Sequence, residues 1–170
     1  LCDWSSDVCS SDLVVIDPAA PRATGGAVAG TYFAGVFSSV DGGASWSRGQ
    51  VARYVKILSV AIDPSQPSVR YAGLDFQNGV WKSTDSGATW APTAFSTLPV
   101  RALAVAPDAH LTIYAATTDG IRKTTDGGAT WSTSKAGLAD LDVRTLVADP
   151  TVPGRLWAGT ANGVFATNDG

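Results

Sequence analysis

Ser83-Thr-Asp-Ser-Gly-Ala-Thr-Trp90 is one of four versions of a single turn in this chain. Ser39-Val-Asp-Gly-Gly-Ala-Ser-Trp46 and Thr124-Thr-Asp-Gly-Gly-Ala-Thr-Trp131 match it position for position, and Thr167-Asn-Asp-Gly170 repeats its first half. The aspartates Asp41, Asp85, Asp126 and Asp169 are separated by 44, 41 and 43 residues. Six residues ahead of them stand Gly35, Gly79, Gly120 and Gly163, opening Gly35-Val-Phe, Gly79-Val-Trp, Gly120-Ile-Arg and Gly163-Val-Phe. Farther upstream recur Val15-Ile-Asp-Pro18, Ala61-Ile-Asp-Pro64, Ala104-Val-Ala-Pro107 and Val147-Ala-Asp-Pro150. Between these lie Val28-Ala-Gly-Thr31, Tyr71-Ala-Gly-Leu74, Tyr114-Ala-Ala-Thr117 and Trp157-Ala-Gly-Thr160. Four signals in fixed order, four times over, define a repeat architecture.

Each unit holds four short strands, expected in the second unit near 57–63, 69–74, 79–84 and 89–92. Asp-Pro ends the first strand, because proline cannot continue a ladder. Asn78-Gly79 and Asp119-Gly120 are hairpin pairs, since glycine accepts positive φ and Asn or Asp tolerates it. Four strands at a period of about 40–45 residues mark a propeller blade. The expected fold is therefore all-β: a partial β-propeller of about four antiparallel blades, truncated from a larger ring, with hairpins at the four glycines and almost no helix.

The repeated turn has a mechanical reading. An aspartate in a tight turn accepts hydrogen bonds from backbone N–H groups a few residues on. The glycine supplies positive φ, and the tryptophan brings a large apolar body with one N–H, suited to burial between blades. On this reading Asp41, Gly43 and Trp46; Asp85, Gly87 and Trp90; Asp126, Gly128 and Trp131; and Asp169 are structural. Calcium binding or catalysis is the alternative for these carboxylates, but a catalytic site needs unique groups at one place.

Composition narrows the rest. All 15 acidic residues are Asp, Met is absent, and 45% of residues are apolar against 16% charged, as in a globular chain. The opening Leu1–Leu13 does not share the repeat; Asp7-Val-Cys-Ser-Ser-Asp-Leu13 resembles a translated sequencing-adapter primer and is set aside as a non-native scar, the alternative being a genuine linker or leader. It carries both cysteines, Cys2 and Cys9, at a spacing that suits neither a usual zinc site nor a redox pair. Without Asp3, Asp7 and Asp12 the chain has twelve acidic and twelve basic residues. A neutral domain without a basic block gives no electrostatic case for nucleic acid or an anionic membrane. No apolar run approaches the roughly 18 residues of a membrane span, and no cofactor or metal motif occurs.

The pattern Ser/Thr-x-Asp-x-Gly-x-Ser/Thr-Trp resembles the Asp-box, or bacterial neuraminidase repeat, and the resemblance covers residues 14–170. It implies kinship with the propellers of sialidases, xyloglucanase-type glycoside hydrolases, sortilin-type receptors and bacterial photosystem II assembly-factor-like proteins, and an extracellular or periplasmic setting. In that superfamily the box joins the third and fourth strands on the face away from the ligand. The opposite face then carries the turns 75–78, 118–119 and 161–162 and the inter-blade connections 47–56, 91–99 and 132–142.

On that face the residues that repetition does not explain are the ligand-binding candidates: Arg53, Tyr54, Asp75, Phe76, Gln77, Asp140 and Asp142. An aromatic ring beside carboxylates and amides suits carbohydrate, though such loop residues are also ordinary solvated surface. Arg101 and Arg144 occupy equivalent repeat positions and read as structural or solvated; His110 reads as a surface residue. Two functions remain open. One is a non-catalytic binding or scaffold propeller whose partner is carbohydrate, another protein or the remaining blades of the parent. The other is a fragment of a glycoside hydrolase, for which Asp75, Asp140 and Asp142 are the available carboxylates. No residue is assigned as catalytic. With no Glu and no Phe/Tyr-Arg-Ile-Pro segment, the sialidase site that the resemblance would imply is not in this chain.

Overall fold

The computed structural model describes residues 26–32, 34–51, 55–76 and 79–170, with the backbone of 13–16. Among the described residues there are fifteen strands and no helix, hence none long and apolar enough to cross a membrane. The first sheet contains β1 (Leu13–Ile16), β2 (Ala27–Gly30), β3 (Val36–Ser39) and β4 (Ser47–Arg48), paired in that order. The second contains β5 (Ile57–Ile62), β6 (Arg70–Leu74), β7 (Val80–Ser83) and β8 (Ala91–Pro92). The third contains β9 (Ala102–Val105), β10 (Ile113–Thr117), β11 (Gly120–Thr124) and β12 (Ser132–Ser134). The fourth has three strands, β13 (Val143–Ala148), β14 (Leu156–Thr160) and β15 (Gly163–Thr167).

Every neighbouring pair is antiparallel, so each sheet is an up-and-down meander. The first strands β1, β5, β9 and β13 contact one another in succession, placing them along one inner edge. This is a partial β-propeller of consecutive blades. The strand limits of the second blade fall within one or two residues of expectation. Two boundaries differ. Leu13 pairs with Gly30, so β1 starts one residue before Val14; residues 1–12 lie outside the described residues. The stretches expected as inter-blade connections open with the short outer strands β4, β8 and β12, so the true connections begin after Arg48, Pro92 and Ser134.

Packing explains why the inner strands read as nearly continuous apolar runs. A blade in mid-array is covered on both faces, so alternation is suppressed; β6 and β10 are buried at all five positions. Val28, Val36, Ile57, Val60, Ala72 and Trp90 fill the seam between the first two blades. Tyr71, Val80, Phe95, Val100, Ile113 and Ala115 fill the next, and Tyr114, Ile121, Val143, Leu146, Leu156 and Ala158 the third. The hairpin at Gly79 tolerates only glycine: its φ is +58°, and a Cβ there would lie 1.8 Å from the Phe95 carbonyl oxygen.

Candidate functional site

The turns between third and fourth strands close in the same way three times. Asp85 Oδ1 accepts hydrogen bonds from Ser83 Oγ at 2.8 Å and Thr89 N at 2.9 Å, and Oδ2 accepts one from Thr89 Oγ1. Ser83 Oγ in turn accepts from Gly87 N, and Trp90 Nε1 donates to Gly87 O at 2.9 Å. Asp41 is held by Ser39 and Ser45, and Asp126 by Thr124 and Thr130, through the same atoms. The hydroxyl and backbone N–H of Ser45, then the Ser39 hydroxyl, bring the Asp41 carboxyl down to about 2; Thr89 and Ser83 do the same to Asp85. Thr130 and Thr124 hold Asp126 lower still. These carboxylates are directed into their own turns. Asp169 has the first half of this arrangement, with Thr167 Oγ1 donating to its Oδ1 and its own N–H donating back to Thr167 Oγ1.

The Asp-Pro turns share that end of the blades. Asp63 Oδ1 accepts from Ser65 N, Ser65 Oγ and Gln66 N, and Asp149 Oδ1 from Thr151 N, Thr151 Oγ1 and Val152 N. His110 is exposed there, in the turn before β10.

The opposite, loop-bearing end carries four carboxylates among the described residues. Asp75 follows β6, lies 3.8 Å from Lys56 Nζ and accepts the Phe76 N–H at 3.0 Å. Lys56 Nζ also donates to the Tyr32 hydroxyl at 2.9 Å and sits 4.1 Å from the centre of that ring. The Tyr32 hydrogen bond is the main cause holding the Lys56 ammonium above its ordinary pKa. Phe76 has φ +49° and a 77% exposed side chain. A non-glycine residue in that region costs about 1–3 kcal/mol, which the surrounding structure has to offset. Tyr32, Lys56, Asp75 and Phe76 thus form one patch across the first two blades. Lys56 had no distinguishing mark in sequence. Tyr32 did: in sequence, three residues, 32–34, precede Gly35, where the third and fourth units have two before theirs.

The second group lies where the third and fourth blades meet. Asp142 is gripped by Arg101 Nη1, and by Arg144 through Nε at 3.2 Å and Nη2 at 3.1 Å. The two arginines at equivalent repeat positions therefore converge on one carboxylate. Asp140 accepts from Asp142 N at 3.0 Å and Asn162 N at 3.2 Å, and the Asp142 N–H leads the contacts that lower its pKa. Asp119 accepts from Lys135 Nζ and Arg122 Nη2, and the Lys135 hydrogen bond leads in lowering it. Asp75 and Phe76 belong to one seam, and Asp140 and Asp142 to another. Arg53, Tyr54 and Gln77 lie outside the described residues. No group of three or more His, Cys, Asp or Glu able to hold a metal occurs among the described residues.

Comparison with known proteins bears on the fold. No protein-family model and no curated protein matches the chain. Among solved structures, it is similar to an ancestral GH74 enzyme, with a TM-score of 0.74 and 21% identity over 92% of this chain and 22% of that one. It is similar to the extracellular domain of BT4673, a one component system protein of B. thetaiotaomicron, with a TM-score of 0.63 and 14% identity over 84% of this chain and 20% of that one. YCF48 from Cyanidioschyzon merolae aligns with a TM-score of 0.56 and 20% identity over 75% of this chain and 38% of that one. This chain spans about a fifth of the length of the first two. At these identities the likeness is one of fold, and the fold they share with this chain is the β-propeller.

Proposed function

We propose that this chain is a non-catalytic segment of an Asp-box β-propeller that binds or scaffolds through its loop-bearing end. The observation behind this reading is the state of the carboxylates there. Asp75, Asp119 and Asp142 each face a cation, and Asp140 faces backbone N–H groups. A glycosidase needs one carboxyl kept protonated near neutral pH, which requires a desolvated or anionic setting that raises its pKa. Asp119 and Asp140 are shifted the opposite way. The Lys56-paired Asp75 carboxylate beside Tyr32 and Phe76 suits recognition of a polar ligand, carbohydrate or protein, by hydrogen bonds around an exposed ring. The extracellular domain among its structural likenesses fits an extracellular or periplasmic setting.

The second reading, a fragment of a polysaccharide-cleaving glycoside hydrolase, is favoured by the likeness to an ancestral GH74 enzyme. The complete parent protein separates the two. Asp75→Asn, Asp140→Asn and Asp142→Asn should each leave any hydrolysis of xyloglucan and other β-glucans within twofold of the unaltered protein. A fall of a hundredfold or more in any one of them would make that carboxylate catalytic and overturn the proposal.

A further inference from the structure

The second and third blades do not close on each other as the first and second do. In the first seam Gly49 lies flat against its neighbour: a Cβ there would stand 2.5 Å from Gly87 O and 2.6 Å from Trp90 Nε1. The strand register brings Thr93 to the equivalent place in the second seam. Its Cγ2 stands 2.8 Å from where a Gly128 Cβ would be, so a side chain props these two blades apart. Trp131 is accordingly half-buried where Trp90 is buried. The gap forms a cleft of about 370 Å³, lined by Lys82, Thr84, Thr89 and Thr93 of the second blade and by Gly127 and Gly128 of the third.

Hydrogen-bond donors dominate its walls. Lys82 Nζ donates to Gly127 O at 3.1 Å and keeps two further N–H groups. It pairs with no carboxylate among the described residues. The Thr93 hydroxyl accepts from Phe95 N, which leaves its own O–H to give. Thr84 is exposed, and its hydroxyl makes no hydrogen bond among the described residues. Behind the cleft floor the Tyr71 hydroxyl and the Trp131 Nε1–H are buried without a partner, 3.8 and 3.7 Å from where Cβ atoms of Gly127 and Gly128 would stand. A buried X–H group without an acceptor leaves the positive end of its dipole uncompensated in a medium of low dielectric.

We infer that this cleft between the second and third blades is a binding site for a singly charged oxyanion, a carboxylate or a sulfate ester, held by the Lys82 ammonium with the Thr84 and Thr93 hydroxyls beside it. The single charge follows from the surroundings. One ammonium compensates one negative charge, while Asp85 and Asp126, ionised in the two turns that flank the cleft, repel a second. Both carboxylates are turned into hydrogen bonds of their own turns, which leaves Lys82 to the ligand. The cleft lies at the end of the blades away from Tyr32 and Phe76, so the inference is independent of any ligand there.

The probes are acetate, methyl sulfate, methyl phosphate and, as the uncharged control, methyl acetate. Each is titrated against the isotope-labelled chain by amide NMR, at slightly alkaline pH and constant ionic strength, with chloride as the ion replaced. Saturable shifts centred on the amides of Thr93, Ala94, Gly127 and Gly128 are expected with acetate or methyl sulfate, and the stronger of the two names the source of the charge. Dianionic methyl phosphate should bind more weakly than methyl sulfate, and methyl acetate should move none of these amides. Lys82→Gln should weaken binding about tenfold or more, the scale of a hydrogen bond to a charged group, and Thr84→Val about threefold. Thr84 bonds to nothing in the fold, so its variant keeps the test separate from stability. No saturation at these amides up to about 100 mM of either monoanion, methyl phosphate binding as tightly as methyl sulfate, or unchanged affinity in both variants would overturn the proposal.

Discussion

Trp90→Ala is the perturbation that weighs most directly how the blades are held together. Trp90 is 7% exposed and sits in the apolar seam between the first and second blades. A built Cβ on Gly49 of the first blade would lie 2.6 Å from its indole nitrogen, so the preceding blade is pressed against the ring. Removing the indole deletes that contact surface, leaves a cavity the strands cannot close, and strands the Gly87 carbonyl that accepts its N–H. Buried Trp→Ala replacements cost about 3–5 kcal/mol. At a urea slope of about 2 kcal/mol/M the unfolding midpoint should fall by about 2 M. Trp90→Phe separates the parts: it keeps most of the packing, loses the hydrogen bond and should cost about 1 kcal/mol more than packing alone. Trp131 is the internal control, because its buried indole N–H has no acceptor among the described residues. Trp131→Phe should therefore be the milder change. A loss below about 1 kcal/mol for Trp90→Ala at unchanged slope, or equal costs for the two Phe variants, would refute this account of the seam.

Ser86 has φ +60° where the sister turns place Gly42 and Gly127, both at +71°, so Ser86→Gly should raise stability by up to about 1 kcal/mol in the same urea assay. Arg70 is 1% exposed and donates across the seam to the carbonyls of Ala27 and Ser39; Arg70→Leu leaves both without that donor and should cost at least about 2 kcal/mol. Asp41 and Asp85 have folded pKa values of about 2 against an ordinary 3.8. Depressed carboxyls contribute stability above 3.8 that is lost as pH falls towards 2, so the melting temperature should drop across that window. In Asp85→Asn the drop should be shallower. The outer face of the fourth blade exposes Val147 and Val164, at 53% and 75%, where the third blade buries Ala104 and Ile121. Sedimentation should then show concentration-dependent self-association that Val164→Lys abolishes.

The periodic part of this structure was legible because it is local. Asp-Pro, Asn-Gly and the Asp-to-Trp turn each declare their geometry within eight residues, and their spacing placed strands such as Arg70–Leu74 and Val80–Ser83. What escaped was chemistry across the seams. Arg101 looked like a repeat-position arginine; only the fold brings Asp142, 41 residues on, against its guanidinium. Trp90 and Trp131 are equivalent letters in the repeat, yet Trp90 is buried with its N–H bonded while Trp131 is half-buried beside Phe95. That difference is set by the preceding blade, which offers Gly49 to the one and Thr93 to the other turn. Of the candidate site, Asp75 and Phe76 were marked by an enlarged turn. The lysine that ties them to Tyr32 stands between blades and had no sequence signature.

The seams also show why identical repeats would not serve. Between the second and third blades Lys82 lies over the Tyr71 ring and donates to Gly127 O. Between the third and fourth, Lys123 does the same with Tyr114 and Gly170 O. In the first blade that position is Ser38, whose buried hydroxyl packs against Gly87 of the second blade without a hydrogen-bond partner among the described residues. There the donor to carbonyls comes from the other side, through Arg70. In the fourth blade it is Ala166, which pairs with Trp157, whose ring lies 6.0 Å from Arg155 of its own blade. A lysine stretched across a ring to a carbonyl acts only on a neighbour whose turn lies at one height. A lysine therefore bridges the second and third seams and Arg70 the first, which sets the first seam apart from the others by its donor where the apolar faces are nearly alike. Exchanging Lys82 and Ser38 tests this: the second seam loses its donor to Gly127 O while Arg70 still bridges the first. Lys82→Ser alone should therefore lower the melting temperature, and adding Ser38→Lys, which crowds the buried site beside Gly87, should lower it further; an unchanged melting temperature would refute the account.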